Sequence, residues 1–348
     1  KTTYREHTDM ENTLKLRQVL ATLPPFCRDY FRAIDTTTTA KTRISYAYDI
    51  RIFFQFLLDE NPAFKDYSMT DFTVDVLDQI KAVDLEEYQE YLKLYQSGDK
   101  TETNGERGLK RKVSALRSFY AYYYKREMIQ TNPTVLIDVP KIHEKSIIRL
   151  DTDEVAMLLD YIEHCGDTLT GQKRVFYEKT KERDLAIVTL LLGTGIRVSE
   201  CVGLDIEDVD FKNNGIKVTR KGGNEMVVYF GPEVEKALRR YLEVREGITP
   251  LVGHEHALFY SAQRKRIGVQ AVENMVKKYS RQITTTKKIT PHKLRSTYGT
   301  ALYQETGDIY LVADVLGHKD VNTTKKHYAA LDDARRRQAA TAVKLREE

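Results

Sequence analysis

A chain of 348 residues that is 41% apolar and 30% charged is long for one hydrophobic core and too apolar to remain disordered, so two packed domains are expected. The formal charge of +4 is too small to name a nucleic-acid partner by itself. With no apolar run long enough to span a bilayer and no secretory signal pattern, a membrane role is excluded and a cytoplasmic location is expected.

Residues 1–35 carry helical patches interrupted by Pro24-Pro25, followed by Asp35 and four threonines whose hydroxyls suit a helix start. Thr42–Leu58 repeats at helical spacing, with Tyr46, Ile50, Phe53, Phe54 and Leu57 on one face. A shorter helix is predicted over Leu85–Tyr95, ending before Ser97-Gly98-Asp99. A long one is predicted over Glu106–Arg126, stopping ahead of Asn132-Pro133. The first part therefore reads as all-helical to about residue 140, with a linker over 141–150.

The second part changes character. Helices are predicted at 152–164 and 181–192, with a charged, glycine-containing insert between them at 166–180. Ile216–Arg220 and Met226–Phe230 are strand-like runs around Lys221-Gly222-Gly223-Asn224, a hairpin with turn chemistry. Further helices are predicted at 232–245, 268–280, 292–305, 308–316 and 322–329, then a charged tail helix over 332–348. The three cysteines, Cys27, Cys165 and Cys201, share no metal-ligand spacing and read as reduced thiols.

Five local features in the second part can carry chemistry. Arg197 and Glu200 stand three apart, which puts both on one helical face, where a carboxylate can orient a guanidinium. Lys221 lies at the hairpin tip. Pro291-His292-Lys293-Leu294-Arg295 places His292 and Arg295 on one face of a starting helix. Leu316-Gly317-His318 is a helix end with a histidine just beyond it. Asn322-Thr323-Thr324-Lys325-Lys326-His327-Tyr328 is a hydroxyl-rich helix start with a tyrosine in its second turn. Taken singly, each has an ordinary explanation: an ion pair, a solvated lysine, a capping histidine, a core tyrosine.

Their order, however, resembles the catalytic domain of the tyrosine recombinase or phage integrase family. Thr42, Tyr46, Asp49 and Phe53–Leu57 look like the first long helix of that family's core-site-binding domain, and Arg111–Arg117 with Asn132-Pro133 resembles its last helix and exit. Lys181–Ile187 and Val218–Gly223 are closest to Xer-type single-chain recombinases. The resemblance implies a mainly α fold with a small β-sheet. It also implies a two-domain clamp: an N-terminal helical extension over 1–35, a core-site DNA-binding domain over 36–140, a catalytic domain over 151–331 and a C-terminal exchange helix over 332–348. With some 35 residues ahead of the core-site part, no sizeable arm-site domain is expected. One departure is that His318 precedes Tyr328 by ten residues, where most members have nine.

The implied activity is site-specific cleavage and rejoining of DNA through a 3′-phosphotyrosine, serving Xer-like dimer resolution or mobile-element integration and excision. Arg197 and Arg295 would neutralise the phosphate, Tyr328 would attack and Lys221 would protonate the leaving 5′-oxygen. His292 would assist proton movement, His318 would hydrogen-bond the phosphate and Glu200 would support the basic groups. No metal, ATP or other cofactor is expected. Lys41, Thr42, Arg43, Tyr46, Lys110, Arg111, Lys112 and Arg117 are candidate DNA contacts. The expected partners are double-stranded DNA with inverted-repeat core sites and further copies of the chain, a dimer on a site and a tetramer in synapsis, linked through the tail helix; the expected location is at the nucleoid. Three alternatives stay open: a DNA-binding accessory factor without catalysis, a topoisomerase-like enzyme that relaxes supercoils without exchange, and a metal-dependent nuclease built on His254, Glu255 and His256.

Overall fold

The computed structural model describes residues 3–143, 146–220 and 222–328. Its internal contacts divide the chain into two compact units, Lys1–Lys145 and Ser146–Glu348.

The first unit contains α1 (Tyr4–Leu20), α2 (Cys27–Ala33), α3 (Ala40–Glu60), α4 (Val76–Gln79), α5 (Ala82–Tyr91), a hairpin of β1 (Leu94–Ser97) and β2 (Lys100–Thr103), and α6 (Glu106–Lys125). The threonine run works as expected: the Thr39 hydroxyl accepts from the Thr42 N–H at 3.2 Å and starts α3. Helices α3 and α6 bury an aromatic core in which Phe119 meets Tyr30 edge-on at 5.2 Å and Phe54 lies 5.1 Å from Phe72. The all-helical expectation fails at one place. The predicted Leu85–Tyr95 helix stops at Tyr91, and the chain turns at Gly98, whose φ of +61° suits glycine, into the two-stranded hairpin. Tyr95 still packs where helical spacing would put an apolar residue, stacked on Tyr91 at 5.2 Å.

A charged cluster is built into this unit. The Asp49 side chain is 1% exposed and is paired with Arg111, while Lys112, itself buried, brings Nζ to 3.6 Å from Oδ1. Burial pushes the Asp49 carboxyl up and the Lys112 amine down, the two cations opposing the first effect. Removing one member leaves an uncompensated charge inside. Asp49→Ala is expected to cost about 3–5 kcal/mol in urea unfolding, and adding Lys112→Met should recover most of it; a double variant no more stable than Asp49→Ala would contradict the pairing.

The second unit contains α7 (Thr152–His164), α8 (Gly171–Thr194), α9 (Val198–Gly203), β3 (Val209–Asp210), β4 (Gly215–Thr219), β5 (Glu225–Tyr229), α10 (Pro232–Glu246), α11 (Val269–Ser280), α12 (Pro291–Thr306), α13 (Ile309–Leu316) and α14 (Val321–Tyr328). Helix α8 is central, packed against α7, α10 and α12, and Ala186, Ile187 and Leu190 along it are fully buried, as a helix covered on several sides requires. Within the expected insert at 166–180, Cys165–Thr168 is a short 3-10 turn and residues 171–180 are the start of this helix. Its charges face solvent while buried Tyr177 anchors it, donating its hydroxyl to the carbonyls of Ile162 and Glu163 at 2.8 Å. The sheet is antiparallel in the order β3-β4-β5, with Ile216 opposite Val228 and Val218 opposite Met226; β3 is a strand that sequence reading did not predict.

Candidate active site

The site is organised by helix ends. Helix α8 stops at Gly195, where φ is +65°; an added Cβ would come within 2.3 Å of the Tyr298 ring, so only glycine fits the close approach of α8 and α12. The chain then extends through Arg197 into α9. The Glu200 carboxylate accepts from the Arg197 backbone N–H at 2.8 Å and from its guanidinium Nη1 at 2.9 Å, so one buried acid fixes both the start of α9 and the arginine it presents. The Arg197 side chain remains 36% exposed.

Arg295, on α12, is 4% exposed. Its Nη1 donates to the Gly195 carbonyl at 2.6 Å and its Nη2 to the Leu316 carbonyl. A guanidinium has five N–H donors, and these two bonds engage two of them. Burial first, then neighbouring Arg197, lower its proton affinity to about 10, which still leaves it charged at neutral pH. Carbonyls at a helix C-terminus lack intrahelical partners and carry partial negative charge, which explains why cations gather at the end of α13.

That end is closed by Gly317 at φ +65°, with Gly317 N–H bonded to Asp314 O at 2.8 Å and His318 N–H to Ala313 O at 2.9 Å, a Schellman cap that sets the backbone of His318. The His318 Nδ1 is hydrogen-bonded to the hydroxyl of buried Thr324 at 2.7 Å, tying the histidine to α14. Tyr328 on α14 is 2% exposed and stacks on Tyr303 at 6.0 Å. Its hydroxyl lies over Gly299, where an added Cβ would be 2.0 Å away. Gly299 is one helical turn beyond Arg295, so the phenol faces the stretch of α12 that carries the buried guanidinium.

Burial pushes the Tyr328 phenol up to about 12, with Arg295 pulling it partly back. A raised acid pKa stabilises the fold below about pH 10, where both states are protonated, and that contribution disappears as pH rises through 10 to 12. Wild type should therefore lose about 2–3 kcal/mol more than Tyr328→Phe between those pH values in denaturant titrations; parallel loss in both proteins would contradict the buried phenol.

The structure thus brings Arg197, Glu200, Arg295, His318 and Tyr328 into one region. His292 sits in the first turn of α12, exposed, one turn before Arg295. Lys221 and the tail over 332–348 lie outside the described residues. The candidate DNA contacts divide. Lys41, Lys110 and Arg111 are exposed and Tyr46 half-buried. Lys112 is turned inward onto Asp49, and half-buried Arg117 donates to the carbonyls of Thr134 at 3.1 Å and Ile137 at 2.6 Å, so both are engaged within the unit. Arg43 is paired with Asp35, and the Thr42 hydroxyl with that of Thr39 at 3.0 Å. The supposed metal trio is engaged separately: His254 accepts from Arg266 N–H at 3.2 Å, Glu255 from Gly253 N–H at 3.0 Å, and His256 meets Glu207 at 2.5 Å.

Sequence reasoning missed Arg220, which is 8% exposed and joins Glu200 to the end of α13. The signal was available: in Ile216, Lys217, Val218, Thr219, Arg220 the buried positions alternate, and period two puts Arg220 on the inner side. Thr324 lay within the hydroxyl-rich start of α14 already singled out in the sequence, whereas Gly299 carried no comparable signal.

Residues 148–335 match the model of the phage integrase family, a span of more than half the chain. The chain belongs to the phage integrase family. This tyrosine recombinase is similar to tyrosine recombinase XerC of Caldanaerobacter subterraneus subsp. tengcongensis, 32% identical over 338 residues that cover 93% of this chain and 88% of the relative. It is similar as well to tyrosine recombinase XerS of Lactococcus lactis subsp. cremoris, 32% identical over 341 residues that cover 90% and 93%. Among solved structures, the fold resembles the XerH site-specific recombinase bound to palindromic difH substrate (TM-score 0.64, 21% identity, 88% of this chain and 80% of that one). It also resembles the Tn1549 transposon integrase in complex with circular intermediate DNA (TM-score 0.63, 21% identity, 90% and 98%). The recombinase fold is mainly helical with small sheets in two domains, and family membership makes the protein a DNA strand-transferring enzyme.

Proposed function

We propose that this recombinase cleaves and rejoins double-stranded DNA at inverted-repeat core sites by way of Tyr328. The observation that carries the reading is the convergence of two guanidiniums, Arg197 held by Glu200 and Arg295 held by the Gly195 and Leu316 carbonyls, beside the stretch of α12 on which the Tyr328 hydroxyl rests. Such an arrangement suits a phosphodiester: fixed cations neutralise the non-bridging oxygens and stabilise the added charge of the pentavalent transition state.

In the step itself, the Tyr328 oxygen bonds to phosphorus and the bond from phosphorus to the 5′-oxygen breaks. The phenolic proton leaves with assistance from His292, His318 hydrogen-bonds the phosphate, and Lys221 gives a proton to the departing 5′-oxygen, which is released as a hydroxyl. The bond energy is kept in a 3′-phosphotyrosine, so rejoining needs neither ATP nor a metal. Since the ring is 2% exposed, the hydroxyl has to be uncovered as DNA enters. Lys41, Tyr46, Lys110 and Arg111, the last also paired with Asp49, would meet DNA phosphates from the first unit, and affinity should fall steeply with salt. Copies of the chain would pair on each site and form tetramers in synapsis, in Xer-like resolution or mobile-element exchange at the nucleoid.

The test is a plasmid carrying two copies of the DNA fragment that the protein protects, incubated in EDTA without ATP. Recombinant circles are expected. Relaxed topoisomers alone would favour the topoisomerase-like alternative, and bound but uncut plasmid would favour an accessory DNA-binding factor; either overturns the proposal.

A further inference from the structure

A third arginine lies under the site, and the donors of both its terminal nitrogens are already committed. Arg220 Nη1 donates to Glu200, 3.3 Å from Oε2, and to the Leu316 carbonyl at 3.1 Å; Nη2 donates to the Val315 carbonyl at 2.7 Å and to the Met226 sulfur at 3.3 Å. Its remaining donor, Nε, is buried with no hydrogen-bond partner among the described residues. An added Cβ on Gly317 would come within 3.0 Å of its Cζ and Nε, so the cap of α13 closes over the guanidinium. Arg220 therefore has no donor to offer a phosphate, unlike Arg197 and Arg295.

What Arg220 does have is position. Its backbone N–H donates to the Asn224 carbonyl at 2.8 Å, and its own carbonyl accepts from the Gly223 N–H at 3.0 Å. It is thus the closing residue of the β4–β5 turn. Gly222 and Gly223 in that turn take φ of +97° and +91°, conformations that glycine adopts without strain. The next residue in the chain is Lys221. The same guanidinium grips the acid that holds Arg197 and the carbonyl shared with Arg295.

We propose that Arg220 is a positioning residue for leaving-group protonation: it ties the strand end that precedes Lys221 in the chain to Glu200 and to the end of α13. This rests on the reading of Lys221 as proton donor.

The experiment measures single-turnover adduct formation by wild type, Arg220→Ala and Lys221→Ala on a nicked substrate. Two versions of the substrate are used, with oxygen or with sulfur at the bridging 5′ position. A thiolate, whose parent thiol has a pKa of about 8.5, departs without a proton. On the oxygen substrate Arg220→Ala should be slower by about 10²-fold or more, with DNA affinity within about threefold of wild type; on the sulfur substrate both variants should return to within about tenfold of wild type. An Arg220→Ala defect of equal size on both substrates, alongside a rescued Lys221→Ala, would show that Arg220 acts through the phosphate-binding arginines and overturn the proposal, as would the absence of any defect. A Lys221→Ala defect that sulfur does not relieve would overturn the proton-donor reading and the proposal with it. Should Arg220→Ala melt at assay temperature, Arg220→Lys, which keeps the charge beside Glu200 but lacks the donor fork, reads the same oxygen-to-sulfur ratio.

Discussion

Tyr328→Phe is expected to bind DNA as wild type does and to form no covalent adduct at all. The substitution removes a single oxygen and keeps the ring, which stacks on Tyr303 and is nearly fully buried, so packing on α12 is retained. What disappears is the atom that would bond to phosphorus, and among the described residues the nearby phenols are otherwise engaged: Tyr303 is the partner of the stack, and Tyr298 packs against Gly195. The check pairs a gel-shift titration with a denaturing gel on a nicked substrate. Retained binding with no slow-migrating protein–DNA species is the expected pair of results; an adduct surviving in the variant would remove Tyr328 from the reaction.

Arg197→Ala carries the second large effect. Because its side chain is 36% exposed and Glu200 keeps Arg220 as a partner, truncation should leave the fold nearly intact. Cleavage should fall by about 10²–10³-fold, the usual cost of deleting one preorganised donor from a site of developing negative charge. Arg295→Ala is the instructive contrast. Removing a guanidinium that is 4% exposed leaves a cavity and takes the partner from the Gly195 carbonyl, so about 2–4 kcal/mol of stability should go with the activity. Measured together, melting and single-turnover cleavage separate the two: activity lost at nearly constant stability for Arg197, both lost for Arg295. Equal destabilisation by the two variants would contradict the placement of Arg197 at the mouth of the site.

Much of this site was legible because its residues sit at helix ends, and helix ends leave marks in sequence. Thr194-Gly195, Pro291 and Leu316-Gly317 punctuate the chain where α8 stops, α12 starts and α13 closes, and Arg197, His292, Arg295 and His318 are all within a few residues of those marks. The i,i+3 spacing of Arg197 and Glu200 predicted their ion pair, and the 2.9 Å contact is there. Less legible was which charges face inward. Lys110, Arg111 and Lys112 are three consecutive cations on α6, yet Arg111 and Lys112 both reach buried Asp49 and only Lys112 is itself buried; a basic run does not reveal which of its members a helix turns toward the interior. The hairpin after α5 was hidden for a similar reason: Tyr91 and Tyr95 keep an i,i+4 apolar contact that a helix or a short strand can both supply. Arg220 was hidden by its neighbour, since a lysine in a glycine turn draws attention away from the strand position before it.

The most direct test is to identify the amino acid joined to DNA. The adduct trapped on a nicked substrate is digested with nuclease and protease, and the residue bearing the 3′-linked nucleotide is located by mass spectrometry. The account predicts a nucleotide on the peptide containing Tyr328 and on no other, whereas a nucleotide on Tyr298, Tyr303, Tyr310 or a serine would contradict it.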